Sequence, residues 1–388
     1  MDRMPPEQVA TLRALPVEQA MRYWDAAETE GRRTGRLNQV VRMLVLADLY
    51  YLLVRVCGRV DMLPCVGRPG FVDNQFAFER CREVEVAPDG YLDLWAREHF
   101  KSSVITVGLT LQDMLRDPET TIGIFSFSRP QAKAFLRALM REIEKNSALH
   151  AAFPDILVGR DVRQYAKFSE DDGILVLRKS NPAEATIEAY GLEALPVGRH
   201  FKVLVYDDIV VPASVTTTEQ ITKTMENLQH SYNLGTAGGV RRMIGTRYSY
   251  ADAYGAVIKN DTFKPRIYPG KKGGTEDGES ILWDEETHRK KRSEQGQWIY
   301  ASQILLDPRA DAQQGFRREW LKFYTSITKA QSDKMTKYIL IDSASSKKKH
   351  SDFTAMWVVG LGTDGNYYAL DLVRDRLNLK ERGDRLFD

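Results

Sequence analysis

Two short groups of residues carry the side chains that phosphate and metal chemistry requires, and the first follows an apolar run. Lys101 and Ser102 come after Leu92–Trp95 and before residues with helical spacing. A strand, a loop and a helix in this order form the phosphate-binding loop of many proteins, where the lysine contacts the β- and γ-phosphates and the hydroxyl binds Mg²⁺. The stretch Leu92–Thr106 therefore predicts a nucleotide site, with a plain surface lysine as the alternative.

The loop departs from the usual pattern G-x-x-x-x-G-K-[ST]. That pattern would place glycines at positions 95 and 100, where this sequence has Trp95 and Phe100. A lysine and a serine after a strand are common in proteins. The decision between a nucleotide loop and a surface lysine therefore depends on the rest of the chain.

The second group is a pair of carboxylates, Asp207 and Asp208, within the apolar run Val203–Val211. Ligands bind at the carboxyl ends of the strands in open α/β sheets, and buried carboxylates there favour a cation or a water network. We expect Asp207 to order Mg²⁺ through water, and Asp208 to polarise the attacking water where a glutamate often stands. The alternative is a pair of helix-capping aspartates.

Three arginines stand at predicted strand ends, where their charge could stabilise negative charge on a γ-phosphate. Arg97 lies in the loop, Arg199 precedes the Asp207 strand, and Arg247 follows Gly245 and Thr246. Each arginine alone is more often a surface charge or a salt-bridge partner.

A second acidic group follows near the end of the chain. Asp342 ends the run YILID, and Asp352 follows a basic loop, 347–350. This order begins a two-metal nuclease of the ribonuclease H type, although a turn aspartate beside a solvated basic loop explains it equally well. Such a site needs further carboxylates, and in this sequence only Asp371 offers one.

Alternating apolar patterns predict the elements that position these residues. Residues 1 to about 60 have helical spacing, 66–75 form a loop, and strands are predicted at 121–127, 174–178, 185–191, 203–211 and 242–246, with helices at about 130–146 and from about 218. Strands that alternate with helices predict a mainly parallel sheet covered on both faces. The fold class is α/β, a P-loop nucleotide-binding domain with a helical N-terminal segment.

The later part of the chain is more polar. Residues 264–297 predict an exposed excursion with a flexible tip, 315–324 a packed anchor and 328–336 a linker. From Tyr338, two or three antiparallel strands follow, which form too little structure to fill a core, so this domain is predicted to be cut short. The predicted domains are 1–65, 66–312, 313–336 and 337–388.

Composition sets the broad class of protein. With 388 residues, 43% of them hydrophobic, and a net charge of +2, the chain fits a globular protein of about two domains with no overall charge that draws it to nucleic acid. Cys57, Cys65 and Cys81 lack metal-ligand spacing, and the histidines lack it too. Neither a signal peptide nor a membrane span is predicted, so we expect a cytosolic protein without a membrane partner.

Taken together, these motifs resemble the large terminase subunit of tailed bacteriophages. The resemblance lies in five segments in family order, Arg80–Thr106, Gly123–Ile143, Gly198–Val211, Met243–Gly255 and Tyr338–Val359, and covers about residues 75 to 375. Five ordered motifs are more specific than any one of them. Large terminases tolerate a deviant phosphate loop with an arginine near its start, which accommodates Trp95 and Phe100.

The resemblance implies roles residue by residue. It places at the ATP site Arg97, Glu98, His99, Phe100, Lys101, Ser102, Ser103 and Gln75, with adenine contacts around Asn74–Phe78. It implies that Ser102 and Asp207 hold Mg²⁺ with ATP and that Asp208 is the catalytic acid. Arg97 becomes a candidate sensor and Arg199 a trans-acting arginine finger. Gly245, Thr246 and Arg247 fall on the motif that couples hydrolysis to movement, and Asp342 and Asp352 on the nuclease metal site, which takes Mg²⁺ or Mn²⁺.

The resemblance also implies an ASCE or RecA-like ATPase that moves double-stranded DNA into a procapsid, followed by the start of an RNase H-like nuclease. The implied partners are the portal protein, the small terminase subunit and further copies of the chain, expected as a ring of five in the host cytoplasm. This form is predicted not to cut DNA by itself, whereas a longer protein would. Two rivals remain, a nuclease or integrase-like enzyme with a nucleotide-binding regulatory domain and a non-catalytic DNA-binding scaffold.

Overall fold

The computed structural model describes residues 3–58, 75–158, 161, 164–249, 252–308, 322–344 and 353–387. They form two compact units, one of residues 1–215 and 224–310 and one of residues 216–223 and 311–388. The domain boundaries predicted from the sequence stay predictions, because residues 59–74 and 309–321 lie outside the described part.

The α-helices are α1 (Pro6–Ala14), α2 (Val17–Arg33), α3 (Leu37–Ala47), α4 (Leu49–Tyr51), α5 (Gln75–Val86), α6 (Thr110–Arg116), α7 (Arg129–Lys145), α8 (Ser147–Ala152), α9 (Thr218–Ser231), α10 (Ala253–Lys259), α11 (Glu285–Gln303), α12 (Lys329–Ser332) and α13 (Leu379–Phe387). The strands are β1 (Tyr91–Trp95), β2 (Ile122–Ser126), β3 (Phe168–Ser169), β4 (Gly173–Ile174), β5 (Ile187–Gly191), β6 (Phe201–Asp207), β7 (Gly235–Gly245), β8 (Lys264–Tyr268), β9 (Thr336–Asp342), β10 (Thr354–Leu361) and β11 (Tyr367–Asp375). Two π-helical segments, Leu52–Val56 and Ser102–Leu109, continue α4 and precede α6.

An eight-stranded sheet organises the first unit, with the order β3-β4-β5-β2-β6-β7-β1-β8. The six strands from β5 to β8 in this order pair in parallel, and β3 and β4 add an antiparallel edge. Strand β7 lies between β1, which precedes the lysine loop, and β6, which carries the aspartates. Because parallel strands end at one edge, the loop after β1 and the aspartates of β6 come together there.

Alternate residues of β6 show why both faces of the sheet are covered. Val203 and Val205 belong to one core cluster with the N-terminal helices, whereas Leu204 and Tyr206 belong to a second cluster on the other face. Successive side chains of a strand point to opposite faces, so an almost continuous apolar run needs cover on both. This confirms the prediction of a parallel-rich α/β sheet.

The helices before residue 58 belong to the same compact unit as the sheet. Buried Asp48 anchors them, since it accepts hydrogen bonds from the Trp24 indole at 3.0 Å and from Arg82 of α5 at 2.8 Å. Burying a carboxylate costs free energy unless hydrogen bonds and an opposite charge compensate, and this carboxylate has both. Tyr50 packs edge-on against Phe78, as expected for a packing role.

Three predictions about local structure were wrong. Residues 264–297 do not form an exposed excursion throughout, because they contain strand β8 and most of α11. The predicted strand 174–178 is reduced to the two residues of β4. The last strand, β11, is followed by a helix, α13, which the sequence patterns did not predict.

The second unit contains a three-stranded antiparallel sheet with the order β11-β10-β9. All seven residues of β9 are exposed, although four of them, 338–341, are large and apolar. Arg382 of α13 donates a hydrogen bond to the Ala344 carbonyl at 2.8 Å, which connects that helix to the end of β9. Asp342 stands opposite Ala355 in the antiparallel register.

No single helix in the described ranges is both long and apolar enough to cross a membrane. Leu37–Ala47 and Leu49–Val56 reach that length and hydropathy only as a pair, which is bent by 118°.

Candidate nucleotide site

The loop after β1 adopts a backbone that glycine normally provides. Glu98 has a φ of 63° and Phe100 a φ of 69°, both in the left-handed region. Phe100 occupies the position of the second glycine in a regular phosphate loop. A bulky residue with positive φ is strained, and such strain persists only where the surroundings enforce it. The ring of Phe100 packs, partly buried, against the core, so packing holds the loop in a shape that glycine would adopt freely.

Lys101 and Asp208 meet at the carboxyl edge of the sheet. The Lys101 Nζ lies 3.3 Å from the Asp208 Oδ2, and the two side chains are 9% and 18% exposed. Asp208 follows β6 with a φ of 47°, and its amide donates to the Ile244 carbonyl of β7. The sequence separates these two residues by more than a hundred positions, so the sheet topology alone brings them together.

Asp207 is a fully buried carboxylate beside this pair. It accepts a hydrogen bond from the Thr106 hydroxyl, and Ser126 fixes its backbone by donating to the Asp207 carbonyl at 2.6 Å. Burial, and then the charge of Asp208, raise the pKa of Asp207 to about 7, while Lys101 and hydroxyl donors oppose the shift. A carboxylate with such a pKa is ready to gain a cation, because a positive charge would restore its ionised form.

A test of the fit to Mg²⁺ comes from two oxygen atoms that find no hydrogen-bond donor among the described residues. They are Asp207 Oδ1 and Asp208 Oδ1, and both are buried. Hydroxyl and carboxylate oxygens are hard ligands, and Mg²⁺ in nucleotide sites needs only one or two from the protein besides phosphates and water. Ser102 and Asp207 therefore fit the ion. Within the described ranges, no cluster of three or more His, Cys, Asp or Glu could hold a metal by itself.

The segment after β7 reaches the loop through a residue that sequence reasoning missed. The hydroxyl of Tyr248 accepts a hydrogen bond from Arg97 at 3.2 Å, and the Thr246 hydroxyl donates to the Trp95 carbonyl at 3.4 Å. Arg247 turns toward Asp252, with its Nε 3.8 Å from Oδ2. The predicted coupling residues 245–247 thus lie beside the phosphate loop, and an aromatic hydroxyl connects the two.

Gly245 has a steric role at this edge. A Cβ at position 245 would overlap the ring of Tyr254, whose hydroxyl donates to the neighbouring Ile244 carbonyl at 3.3 Å. The close approach lets α10 pack directly under the end of β7. Only glycine leaves space for it.

Residues 269–308, which follow β8, pack against the loop from another side. The Gln303 carbonyl accepts from the Arg97 amide at 3.0 Å, and the Lys291 Nζ lies 2.7 Å from Glu98. The rings of Trp283 and His99 lie 5.0 Å apart. These contacts replace the solvated loop that the sequence predicted, and the separation of almost two hundred residues explains why no local signal indicated them.

His99 is a neutral, buried member of the loop. Burial lowers the pKa of His99 to about 4, and its Nδ1 lies 2.9 Å from the Arg97 carbonyl. A carbonyl only accepts, so Nδ1 carries the proton and donates it, which leaves Nε2 as a buried acceptor with no donor among the described residues. His99 therefore stabilises the turn of the loop and does not supply a positive charge.

Other residues predicted at the ATP site lie around it or elsewhere. Ser103 is half-buried in the helix that follows Lys101. Gln75 begins α5 and donates to Glu79 at 2.9 Å, and Phe76 packs edge-on against Trp95 and His99. Asn74 lies outside the described residues. The predicted adenine contacts around Asn74–Phe78 stay a prediction.

Arg199 precedes β6 at the opposite end of that strand from Asp207. It donates to the Ala183 carbonyl at 2.7 Å, and its Nε lies 3.6 Å from Glu188. Since β6 spans about 20 Å, Arg199 does not reach the Lys101 cluster of its own chain. A role toward a neighbouring subunit stays a prediction.

The predicted nuclease residues are less complete. Asp342 is exposed at the end of β9, Asp371 lies on β11 and accepts from the Leu372 amide, and Asp352 lies outside the described residues. The thiol of Cys81 is buried, Cys57 is half-buried, and Cys65 is also outside the described part.

Comparison with known proteins gives similarities of fold. No protein-family model matches the sequence, and no curated protein matches it. Five similar solved structures are bacteriophage large terminases. The HK97 bacteriophage large terminase shares 13% identity over 82% of this chain and 66% of that one, with a TM-score of 0.42. A large terminase from a thermophilic bacteriophage, in complex with ADP, shares 11% over 77% and 68%, with a TM-score of 0.35.

The ATPase domain of the Thermus phage P74-26 large terminase shares 14% identity over 58% of this chain and 91% of that domain, with a TM-score of 0.34. This chain thus spans about two thirds of the HK97 protein and of the ADP-bound terminase. The parallel-rich α/β sheet resembles that of terminase ATPase domains. At such identities and scores, the roles of individual residues rest on the geometry of the site.

Proposed function

We propose that this chain is an ATP-hydrolysing motor of the large terminase type, which moves double-stranded viral DNA into a procapsid. The observation that carries the proposal is the contact between Lys101 and Asp208 beside buried Asp207, at the carboxyl edge of a parallel sheet. A lysine, a hydroxyl and two carboxylates at this edge are the parts that phosphoryl transfer to water requires.

The geometry suggests how these residues divide the work. Lys101 exchanges its contact with Asp208 for the β- and γ-phosphates of ATP, because phosphate oxygens carry more negative charge than one carboxylate. Asp208, released from the lysine, accepts a hydrogen bond from the attacking water and orients it. Ser102 and Asp207 hold Mg²⁺, which when bound neutralises charge on the β- and γ-phosphates. Arg97 adds a second cation beside the loop.

The strand order supports the ASCE or RecA-like class of P-loop ATPase. This class takes its name partly from an additional strand between the phosphate-loop strand and the acidic strand. Strand β7 occupies that place between β1 and β6. It also leads directly into Thr246 and Arg247, so a change at the γ-phosphate has a short route to the segment proposed for coupling.

The assembled motor would contain more than this chain. We expect a ring of five copies on the portal, with the small terminase subunit, in the host cytoplasm. Within that ring Arg199 would act on the ATP site of a neighbouring copy. For the second unit, the proposal keeps Asp342 and Asp352 as ligands of Mg²⁺ or Mn²⁺ in an RNase H-like nuclease. A plasmid-nicking assay on the 388-residue chain and on its Asp342→Ala variant checks this part, with no cleavage expected from either.

The central experiment measures ATP hydrolysis with and without double-stranded DNA. We expect wild type to hydrolyse ATP faster when DNA is added, and Lys101→Ala to lose this activity. The matched control is Lys290→Ala, because the Lys290 side chain is 75% exposed on α11. A Lys101→Ala variant that hydrolyses ATP at the wild-type rate would remove the motor proposal.

The same experiment separates the two rival functions. A nuclease with a nucleotide-binding regulatory domain would bind ATP through Lys101 but show no DNA-stimulated turnover. A non-catalytic scaffold would bind DNA with no Lys101-dependent hydrolysis at all. The buried carboxylate oxygens of Asp207 and Asp208 favour the ATPase over both, because a site without chemistry has no reason to keep them.

A further inference from the structure

A single row of positive side chains runs along the whole of α7. Arg129, Lys133, Arg137, Arg141 and Lys145 recur every four residues, and we call this row the basic ridge. The helix contains two acidic residues, Glu142 and Glu144, so its net charge of +3 exceeds the +2 of the entire chain. The remaining charges of the protein are nearly balanced, and α7 is therefore a local concentration of positive charge.

The opposite face of α7 fixes the ridge in place. Ala132, Leu136, Leu139 and Ile143 are all fully buried against the sheet. The N-terminus of the helix is held by Glu193, which accepts from the Arg129 amide at 2.7 Å. The ridge consequently lies on a rigid support and not on a mobile loop.

The spacing of the ridge is unfavourable for an isolated helix. Like charges four residues apart face each other and destabilise a helix by roughly 0.2–0.5 kcal/mol for each pair. Four such pairs follow one another along α7. A binding partner with negative charge at regular intervals would remove this repulsion.

An acidic turn of the same unit already covers one end of the ridge. We use this name for Glu170, Asp171 and Asp172, between β3 and β4. Asp171 lies 2.9 Å from Arg129 and 2.7 Å from Lys133, and Glu170 lies 2.9 Å from Arg137. These pairs are solvent-exposed, with Asp171 67% accessible, so each stabilises the fold by no more than about 1 kcal/mol. The acidic turn can therefore be displaced by a stronger anion.

We propose that the basic ridge binds the phosphate backbone of double-stranded DNA and that the acidic turn competes with the DNA for it. The ridge spans sixteen residues, or about 24 Å of helix, which matches roughly seven base pairs of a duplex. Arginine and lysine contacts to phosphates position a duplex without reading its sequence, as a motor that must move along any sequence requires. The choice of DNA rests on the proposed function.

The ridge fits a duplex better than a single strand. Proteins that hold single strands interleave aromatic rings with positive charges, so that unpaired bases can stack. The only aromatic residue of α7 is Phe135, and it packs against the core. The ridge therefore provides charge without a stacking platform.

The experiment measures fluorescence anisotropy of a labelled 30-base-pair duplex with the 388-residue chain, without nucleotide, at several salt concentrations. We expect the triple variant Lys133→Gln, Arg137→Gln, Arg141→Gln to bind about tenfold or more weakly. The slope of log affinity against log salt should fall by about one for each phosphate that the variant no longer neutralises. The matched control is Arg32→Gln, Arg33→Gln, Lys290→Gln, which removes the same charge from α2 and α11 and should bind within about twofold of wild type.

A second variant tests the competition with the opposite sign. Glu170→Gln with Asp171→Asn removes the negative charge of the acidic turn and should tighten binding about threefold. Equal reductions of affinity in the ridge and control triples, or weaker binding by the turn variant, would overturn the proposal. Equal ridge-dependent affinity for a single strand of the same length would overturn the duplex assignment.

The measurement also separates this inference from the proposed motor function. Because binding is measured without ATP, an inactive Lys101→Ala enzyme that still binds DNA through the ridge leaves the inference intact. An active ATPase whose DNA affinity ignores the ridge substitutions would refute the inference alone. Circular dichroism of each variant checks that the fold is unchanged.

Discussion

Asp207 and Asp342 both end an apolar strand, yet the two units of the protein give them opposite surroundings. Asp207 is fully buried, contacts Thr106 and lies beside the Lys101–Asp208 pair. Asp342 ends an edge strand whose residues are all exposed. A strand-end carboxylate becomes a chemical site only where neighbouring elements bury it and supply cations and hydroxyls.

The largest effect should come from the charge of Asp208. We expect Asp208→Asn to lower ATP turnover about 10²- to 10⁴-fold, because an amide does not accept a proton from the attacking water. Asp375→Asn, an exposed strand-end aspartate of the second unit, is the control and should leave turnover near wild type. Steady-state hydrolysis assays at saturating ATP measure both, and comparable turnover in the two variants would contradict the contrast between the units.

A pH dependence should distinguish the buried carboxylate next. The folded pKa of Asp207, about 7, exceeds the unfolded value of about 3.9, so the folded state binds the proton more tightly between these values. Its contribution to stability is thus full at low pH and is lost as the pH rises through about 7.

Asp207→Asn should therefore lose less stability than wild type between pH 5 and pH 8, by at most about 4 kcal/mol. Thermal unfolding of the nucleotide-free protein measures this difference. Asp342→Asn, on the exposed strand, should shift stability by less than about 0.5 kcal/mol at either pH. A wild-type pH dependence in Asp207→Asn would show that another group carries the effect.

Two glycines extend the comparison to packing. Gly245→Ala should destabilise the first unit by about 2–3 kcal/mol, because the added Cβ overlaps the Tyr254 ring. Gly383→Ala should stabilise α13 by about 0.5–1 kcal/mol, because no described atom lies near a Cβ at that position and alanine favours a helix. Urea unfolding and hydrogen exchange of α13 measure the two effects, and the same sign for both would refute the steric account.

The smallest effect concerns strain in the phosphate loop. Phe100→Gly and Phe100→Ala both lose the packed ring, but only glycine accepts a φ of 69° without strain. We expect the glycine variant to be about 1 kcal/mol more stable than the alanine variant. Urea denaturation of the two proteins decides this, and an alanine variant of equal or greater stability would mean that the loop is not strained.

Sequence reasoning predicted the parallel-rich sheet well, because apolar runs and helical spacing are local signals of burial. Strand β2 and helix α7 lie within one residue of their predicted bounds. It failed for β8 and α11, whose polar residues obscured their packing, and it missed α13. Tyr248, Trp283 and Gln303 carry no sequence signal, since each contacts the loop only through the tertiary fold.

The sequence by itself determined which groups are available for chemistry: a lysine and a serine after one strand, and two aspartates after another. Their order along the chain and the apolar strands before them are local properties. Only the tertiary structure decided that these groups meet, because a parallel sheet brings distant strand ends to one edge. It also decided the pKa of Asp207 and the strained shape of the loop at Phe100, since burial and packing depend on neighbours that are far away in the sequence.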